Sequence, residues 1–318
     1  MTIDAYAHVG MPRFQSVADY RGVMAETDIA RAVLCSFDSC PDLVAIHSAF
    51  QQWPETFRGL GVPLGNDRAE MEAGARAQLE AGFSGLRLTD ADVVERAWLL
   101  DILGGTVTIV CGHGFSDACA QALVRHLERH AAAIVIGGHF AGVRGPDALR
   151  SGALAALFGH PRFHVVFSRQ GGFEAHAVRA WAEAVVAKSG WEHVMWGSEA
   201  PVLFWRNETV AAALAWIDGM APTPGERAGF LGGNAGRIYF ERALIVGPLA
   251  LPFAPWDRAR RIPAGLWANG LPVDQALAGR LVHAWRASGG HFTLGQYAQD
   301  LLNHALQAEE PARQPGNG

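Results

Sequence analysis

Thr106-Val107-Thr108-Ile109-Val110-Cys111-Gly112-His113 is the stretch that decides the fold. It is a short, nearly continuous apolar run rich in β-branched residues, and strands buried on both faces read that way. Such strands belong to parallel sheets covered by helices. Working outward, similar short runs recur at 3–8, 31–37, 57–63, 85–89, 134–139, 163–168 and 194–197. Between them lie helical patterns. Met71, Ala75 and Leu79 repeat at spacings of four over 70–81, and Ala122, Leu123 and Leu127 line 118–130. Val178, Trp181, Ala182, Val185 and Val186 form one face of 177–188, which Gly190 can close. Thr223-Pro224-Gly225-Glu226 reads as an N-cap, a first-turn proline and a capping-box acid. Eight strands alternating with helices predict an α/β fold, a (β/α)8 TIM barrel, over residues 1–244. A doubly wound open sheet is the alternative, but no Gly-rich phosphate loop follows the first strand.

From about Val246 the pattern changes. Pro248, Pro252, Pro255 and Pro263 interrupt the chain, and 274–287 and 294–306 then read as helices. Residues 245–318 are therefore expected to form a C-terminal helical extension, packed on the barrel or on a partner subunit, with a frayed tail.

Composition excludes several classes. Half the residues are hydrophobic and 18% are charged, which is too apolar for a disordered chain. Lys+Arg 26 against Asp+Glu 31 leaves −5, so no basic face offers itself to nucleic acid. No apolar run reaches the length of a membrane span, and Met1-Thr2-Ile3-Asp4 does not begin a secretory leader. Cys35, Cys40, Cys111 and Cys119 form no CxxC pair and no disulfide framework, so a cytoplasmic protein is expected.

Active sites of such barrels lie where the strands end. The first strand ends Asp4-Ala5-Tyr6-Ala7-His8, and strict alternation would put Asp4, Tyr6 and His8 on one face. The fifth ends at His113, the sixth at Gly138-His139, and the eighth runs into Gly197-Ser198-Glu199. Three imidazoles and one carboxylate would thus meet at one mouth, a donor set suited to zinc, manganese or cobalt. Each has a plainer reading: a hydrogen-bonded histidine, a helix-initiating acid before Pro201, a barrel-wall tyrosine. Arg87, Arg169 and Arg13 sit on or near strand ends, where a guanidinium suits a carboxylate or pairs with neighbouring acids. Trp196, Phe204 and Trp205 could wall an apolar substrate or simply pack.

Ile3-Asp4-Ala5-Tyr6-Ala7-His8-Val9, Gly82-Phe83-Ser84-Gly85-Leu86-Arg87, His113, Gly138-His139-Phe140-Ala141-Gly142, Trp196-Gly197-Ser198-Glu199-Ala200-Pro201 and Gly233-Asn234-Ala235-Gly236-Arg237-Ile238-Tyr239 occur in that order. In this the chain resembles the amidohydrolase superfamily, in its amidohydrolase-related (amidohydrolase 2) branch of TIM-barrel metal-dependent hydrolases. That branch includes dicarboxylate lactonases and metal-dependent decarboxylases of aromatic acids. The resemblance covers residues 1 to about 240. It implies one divalent metal, zinc or manganese, on His8, His113, His139 and Glu199, with Glu199, His139 and His113 in the chemistry. Arg87, Arg169, Tyr6, Arg13 and Trp196 are expected from their positions to meet a carboxylate-bearing small molecule.

Two departures matter. The branch usually carries His-x-His on its first strand and an aspartate on its eighth; here these are Tyr6-Ala7-His8 and Glu199. A tyrosine binds a metal only as phenolate, formed against a pKa near ~10. The single lysine, Lys188, falls near the end of a helix and not at a strand end, which removes the carbamylated bridge of binuclear relatives. The expectation is hydrolysis of a lactone, ester or amide bond of a small organic acid, with water activated by one metal, by Glu199, or by both. Metal-free action by Glu199 gains from the Tyr6 change. Non-oxidative decarboxylation of an aromatic acid is the alternative within the family. A barrel without catalysis, serving as a binding or assembly subunit, is the alternative outside it. A homo-oligomer is expected.

Overall fold

The computed structural model describes residues 1–10, 13–37, 41–112 and 114–251, and in the extension 280, 281, 283–285, 287, 297 and 301. His113 and Cys40 lie outside the described residues, as does most of the two helices expected at 274–287 and 294–306. Residues 245–251 have no regular structure, and the described residues from 280 onward are helical.

Eight parallel strands form the centre: β1 (Thr2–His8), β2 (Ile29–Cys35), β3 (Phe57–Leu60), β4 (Gly85–Leu88), β5 (Val107–Val110), β6 (Ile134–Gly137), β7 (Phe163–Phe167) and β8 (Val194–Trp196). They pair in sequence order as one group of three and one of five. Backbone hydrogen bonds join the two groups at both seams. Gly61 N–H donates to Gly85 O and Arg87 N–H to Gly61 O, both at 2.8 Å. At the other seam Glu199 N–H reaches Tyr6 O at 2.8 Å and His8 N–H reaches Ala200 O at 2.7 Å. The result is a (β/α)8 barrel.

Helices cover the outside: α1 (Val17–Glu26), α2 (Leu43–Gln52), α3 (Arg68–Glu80), α4 (Asp90–Glu95), α5 (Trp98–Leu103), α6 (Asp117–Arg129), α7 (Gly152–Phe158), α8 (Ala175–Ser189), α9 (Val202–Trp205), α10 (Val210–Ala215) and α11 (Pro224–Ala228). Side-chain caps start many of them. Ser16 and Asp19 form a capping box on α1, Thr89 and Asp92 on α4, and Thr223 and Glu226 on α11, the last as the sequence pattern predicts.

The strands' two faces make two cores. Ile3, Val33, Leu60, Ile109, Ile136 and Val166 fill the barrel interior. The opposite faces pack under the helices in a larger cluster that includes Leu34, Leu86, Phe163 and Trp181. Ala235, Ile238 and Tyr239 close the interior from the end opposite the strand termini. Asn234 anchors that plug by donating to Trp191 O and Val194 O, at 2.8 and 2.6 Å. The Asn-Ala-x-Arg-Ile-Tyr segment therefore has a structural duty at the barrel floor.

One expectation fails on β1. Its pairing with β2 slips between Asp4 and Ala7. Ile3 and Ala5 face the interior before the slip; Tyr6 and His8 face the mouth after it. Asp4 therefore does not share their face. It turns toward α1, where Tyr20 Oη donates to it at 2.6 Å.

His126 on α6 is 3% exposed, and neither ring nitrogen has a hydrogen-bond partner. Burial, reinforced by the neighbouring His130, lowers its pKa to about 4. In the unfolded chain it titrates near ~6.5. Between those values the unfolded state binds more protons, so stability falls as pH drops through that window. His126→Leu is expected to recover on the order of 1–2 kcal/mol of this loss at about pH 4.5, and little at neutral pH. Urea unfolding at the two pH values checks this.

Candidate active site

The C-terminal ends of β1, β4, β6, β7 and β8 bring together Tyr6, His8, Arg87, His139, Arg169 and Glu199. Close passage of backbone makes this possible. A Cβ on Gly197 would stand 2.9 Å from Tyr6 Cβ and 2.7 Å from Val166 Cγ1, so only glycine lets β8 end against β1. A Cβ on Gly138 would stand 2.4 Å from Cys111 Sγ. Glu199 (φ 57°), His139 (φ 52°) and Arg169 (φ 64°) all have left-handed backbone, which non-glycine residues seldom adopt. Strain of this kind gathers where a fold holds side chains for a task.

The acid–imidazole pair is the centre of the site. His139 Nε2 lies 3.4 Å from Glu199 Oε1, and its Nδ1 lies 2.9 Å from Ser168 Oγ. Arg206 Nη1 donates to Glu199 Oε2 at 2.7 Å. Arg206 in turn pairs with Glu208. Burial raises the pKa of Glu199, while the Arg206 and Arg169 guanidiniums pull it back down. Arg206 has no part in the sequence expectations. Its signal is only its place, seven residues after Glu199 at the end of α9.

Around this pair lies an aromatic and cationic shell. Tyr6 makes edge contacts with His8 and His139, with ring centroids at 4.8 and 5.3 Å. Its phenol oxygen accepts from Arg87 Nε at 2.9 Å and from Cys111 Sγ at 3.3 Å. Burial pushes the Tyr6 phenol well above its ordinary pKa, against the pull of Arg87, so it stays protonated. His8 Nδ1 meets Cys35 Sγ at 3.2 Å and Cys35 O at 3.4 Å, and its buried Nε2 has no hydrogen-bond partner. Burial first, then Arg87 and His139, hold His8 well below its usual pKa, in the neutral form. Its ring stacks on Phe14 at 4.6 Å and on Phe37 at 5.1 Å.

Arg87 is 7% exposed, stacks on Phe37 at 4.1 Å, and forms no ion pair with an acid among the described residues. Arg13 lies farther out, over the Phe14 and Phe37 rings at 5.5 and 4.9 Å. Trp196 takes the other side of β8. It is buried in the core beneath the helices and does not join the His139–Glu199 pair. His164 faces His193 at 4.8 Å near the start of β7, away from the mouth.

A family model described as amidohydrolase matches residues 4–240, well over half of the chain. The chain belongs to the amidohydrolase family. The comparison with curated proteins found no match for the chain. Solved structures share its fold. One is a probable 2-pyrone-4,6-dicarboxylic acid hydrolase from Acinetobacter baumannii with citric acid bound: 15% identity, 74% of this chain and 98% of that one, TM-score 0.58. A Burkholderia multivorans amidohydrolase with bound zinc has 15% identity, covers 75% and 98%, and gives a TM-score of 0.55. A dihydroxybenzoic acid decarboxylase from Polaromonas sp. JS666, with manganese and 2-nitroresorcinol, has 14% identity, covers 76% and 98%, and gives 0.54. Solved structures of this fold thus include both hydrolases and a decarboxylase, and zinc and manganese occur among them. No helix among the described residues is long and apolar enough to cross a membrane.

The described residues, which leave out His113, fit such an ion poorly. No three His, Cys, Asp or Glu side chains among the described residues surround a common point. The orphan Nε2 of His8 is one suitable donor. Yet Tyr6, between His8 and His139, is held as a neutral phenol. Arg87 adds a fixed positive charge whose field already reaches His8. A divalent cation there would meet repulsion.

Proposed function

We propose that the protein is a hydrolase that opens a lactone, ester or amide bond of a small carboxylate-bearing acid, with Glu199 activating the water. The observation that carries this reading is the buried His139–Glu199 pair at 3.4 Å. Glu199 has its second oxygen on Arg206 and its raised pKa makes it a better proton acceptor than an exposed carboxylate. Water beside Oε1 gives its proton to the carboxylate and attacks the substrate carbonyl. A proton on His139 Nε2 polarises that carbonyl and supports the oxyanion as it forms. The leaving oxygen or nitrogen then takes the proton back from Glu199.

Arg87 supplies the substrate's anchor. A buried guanidinium with no acid partner among the described residues is costly, and a substrate carboxylate would relieve that cost. Arg87→Met is expected to lower kcat/KM by roughly 10–100-fold for the acid, and far less for its methyl ester. Arg87→Lys would not restore it, since an ammonium cannot both hold Tyr6 and present a planar fork. Comparing acid and ester kinetics checks this.

The function is tested by screening carboxylate-bearing lactones, esters and amides, 2-pyrone-4,6-dicarboxylate among them, with metal content measured on the same preparation. Turnover that persists in metal-stripped protein supports direct activation by Glu199. A stoichiometric zinc or manganese ion, lost together with activity in His8→Ala, would replace this mechanism by a metal-dependent one. Turnover of an aromatic acid with release of carbon dioxide would replace hydrolysis by decarboxylation.

A further inference from the structure

The floor of the barrel, at the opposite end from the His139–Glu199 pair, holds a cavity of about 220 Å³. That is many times the ~10–15 Å³ that one water needs. Arg58 on β3, Ser84 before β4, Thr106 before β5 and Arg242 after the floor plug line it, with Phe83 and Ile245 as apolar walls. Among the described residues no carboxylate lines it. Its outer wall is fixed in place. Gly82 has φ 103°, and a Cβ there would stand 2.7 Å from Ile245 O, so only glycine lets the outgoing chain cross this close. His47 Nε2 donates to Gly247 O at 2.8 Å. The family match ends at residue 240, so Arg242 and Ile245 lie beyond it.

The cavity is rich in donors and in positive charge. Arg58 is buried. Its Nε donates to Tyr239 O and its Nη1 to Phe57 O, both at 3.0 Å, and Nη1 also reaches Pro54 O. Its Nη2 has no hydrogen-bond partner among the described residues. Arg242 likewise reaches only carbonyls, Gly105 O at 3.3 Å and Ala132 O at 3.1 Å. Thr106 Oγ1 has no partner. A third guanidinium crowds the same floor: Arg31 and Arg58 both lie over the Phe240 ring, at 5.0 and 4.6 Å. The acid beside Arg31 is Glu55, 4.0 Å away and 91% exposed, which answers little of this charge. Burial lowers the pKa of Arg58, with Glu55 opposing the fall and Arg31 adding to it. Neutral carbonyls satisfy hydrogen bonds but leave a buried guanidinium without a counter-charge, and that is costly.

We propose that this floor cavity is a binding site for a small oxyanion, a carboxylate or a phosphate, held between Arg58 and Arg242. Arg58 Nη2 and the unused N–H groups of Arg242 supply charged donors, and Ser84 and Thr106 supply hydroxyls. Phe83 and Ile245 leave a short apolar portion of the ligand a place to lie. The bound anion ties the segment after residue 240 to the starts of β3, β4 and β5, and so stabilises the folded barrel by mass action. The site lies away from Glu199 and does not rest on the proposed hydrolysis.

The test is an amide NMR titration of the full-length protein with inorganic phosphate and, separately, with succinate, each against sodium chloride at matched ionic strength. The amides of Ser84, Gly105 and Thr106 are expected to shift saturably with at least one of the two anions, while those of Gly138 and Ser168 at the mouth stay in place. The anion that saturates at lower concentration identifies the ligand as phosphate or carboxylate. Arg242→Gln, whose lost bonds reach only two carbonyls at the surface, should raise Kd by roughly 10–100-fold. Arg58→Gln should do the same, and the dispersion of its spectrum shows whether it is folded. Arg87→Met, at the mouth, should leave the floor shifts unchanged. Linear shifts no larger than those with chloride would overturn the proposal. So would saturable shifts confined to Gly138 and Ser168, or floor binding that survives intact in Arg242→Gln.

Discussion

Glu199→Gln is expected to lower kcat by roughly 10²–10⁴-fold, the usual range for a positioned general base. The amide is nearly isosteric and can still accept from Arg206 through its oxygen, so the fold and the left-handed turn at 199 should survive. What it loses is the capacity to take a proton from water. Substrate binding through Arg87 should change little, so the loss falls on kcat and not on KM. His139→Ala removes the neighbouring donor and should cost about 10²–10³-fold, as removal of one oxyanion donor commonly does. Because both residues act on one transition state, the double variant should be little worse than Glu199→Gln alone.

The pH profile follows from the same geometry. A base works when ionised, so activity should rise with pH through the pKa of Glu199. Burial sets that pKa above the ordinary carboxylate value, and Arg206 and Arg169 hold it down. Arg206→Met should therefore move the acidic limb to higher pH, while His176→Ala, far out on α8, should leave it in place. Turnover measured against pH in the three proteins decides the matter. A limb that does not move in Arg206→Met would remove Glu199 from the role of base.

Asp4→Ala is expected to be the most damaging single change to stability, about 3–5 kcal/mol. Asp4 is fully buried and ties three parts of the chain together. Tyr6 N–H donates to Oδ1 at 3.0 Å, Ser198 N–H to Oδ1 at 2.9 Å, and Tyr20 Oη to Oδ2 at 2.6 Å. Ser198 Oγ donates to Oδ2 as well. Removing the carboxylate strands all four donors in the core, and it unties β8 from β1 at the seam that carries Glu199. Asp4→Asn should cost about half as much. Its oxygen can still serve the two backbone donors, but its amide cannot accept from Ser198, whose oxygen already takes a bond from Ala200 N–H. Urea unfolding of the two variants, with Trp fluorescence as the probe, checks both values.

The barrel itself was legible in residue order. Runs such as Thr106–Val110 are apolar on both faces, and a strand between a barrel interior and a helical coat has no other composition open to it. The helix starts were legible too, because capping boxes like Thr223–Glu226 are local chemistry. So were the strand-end residues His8, His139 and Glu199, since strand termini in this architecture face one mouth.

Other features depend on contacts across the fold. The slip in β1 turns Asp4 away from Tyr6 and His8, and no periodicity within seven residues reveals it, because it is defined against β2. The links of Arg206 to Glu199, Arg87 to Tyr6 and Trp285 to Trp205 are equally invisible in order alone. The sequence by itself determined the architecture and which polar groups stand at the strand ends, because both follow from local periodicity and short-range hydrogen bonding. Only the tertiary structure decided which of those groups meet and how burial and neighbouring guanidiniums shift their protons. Those outcomes depend on distances between residues as far as 194 positions apart, as Asp4 and Ser198 are, and only the closed barrel sets such distances.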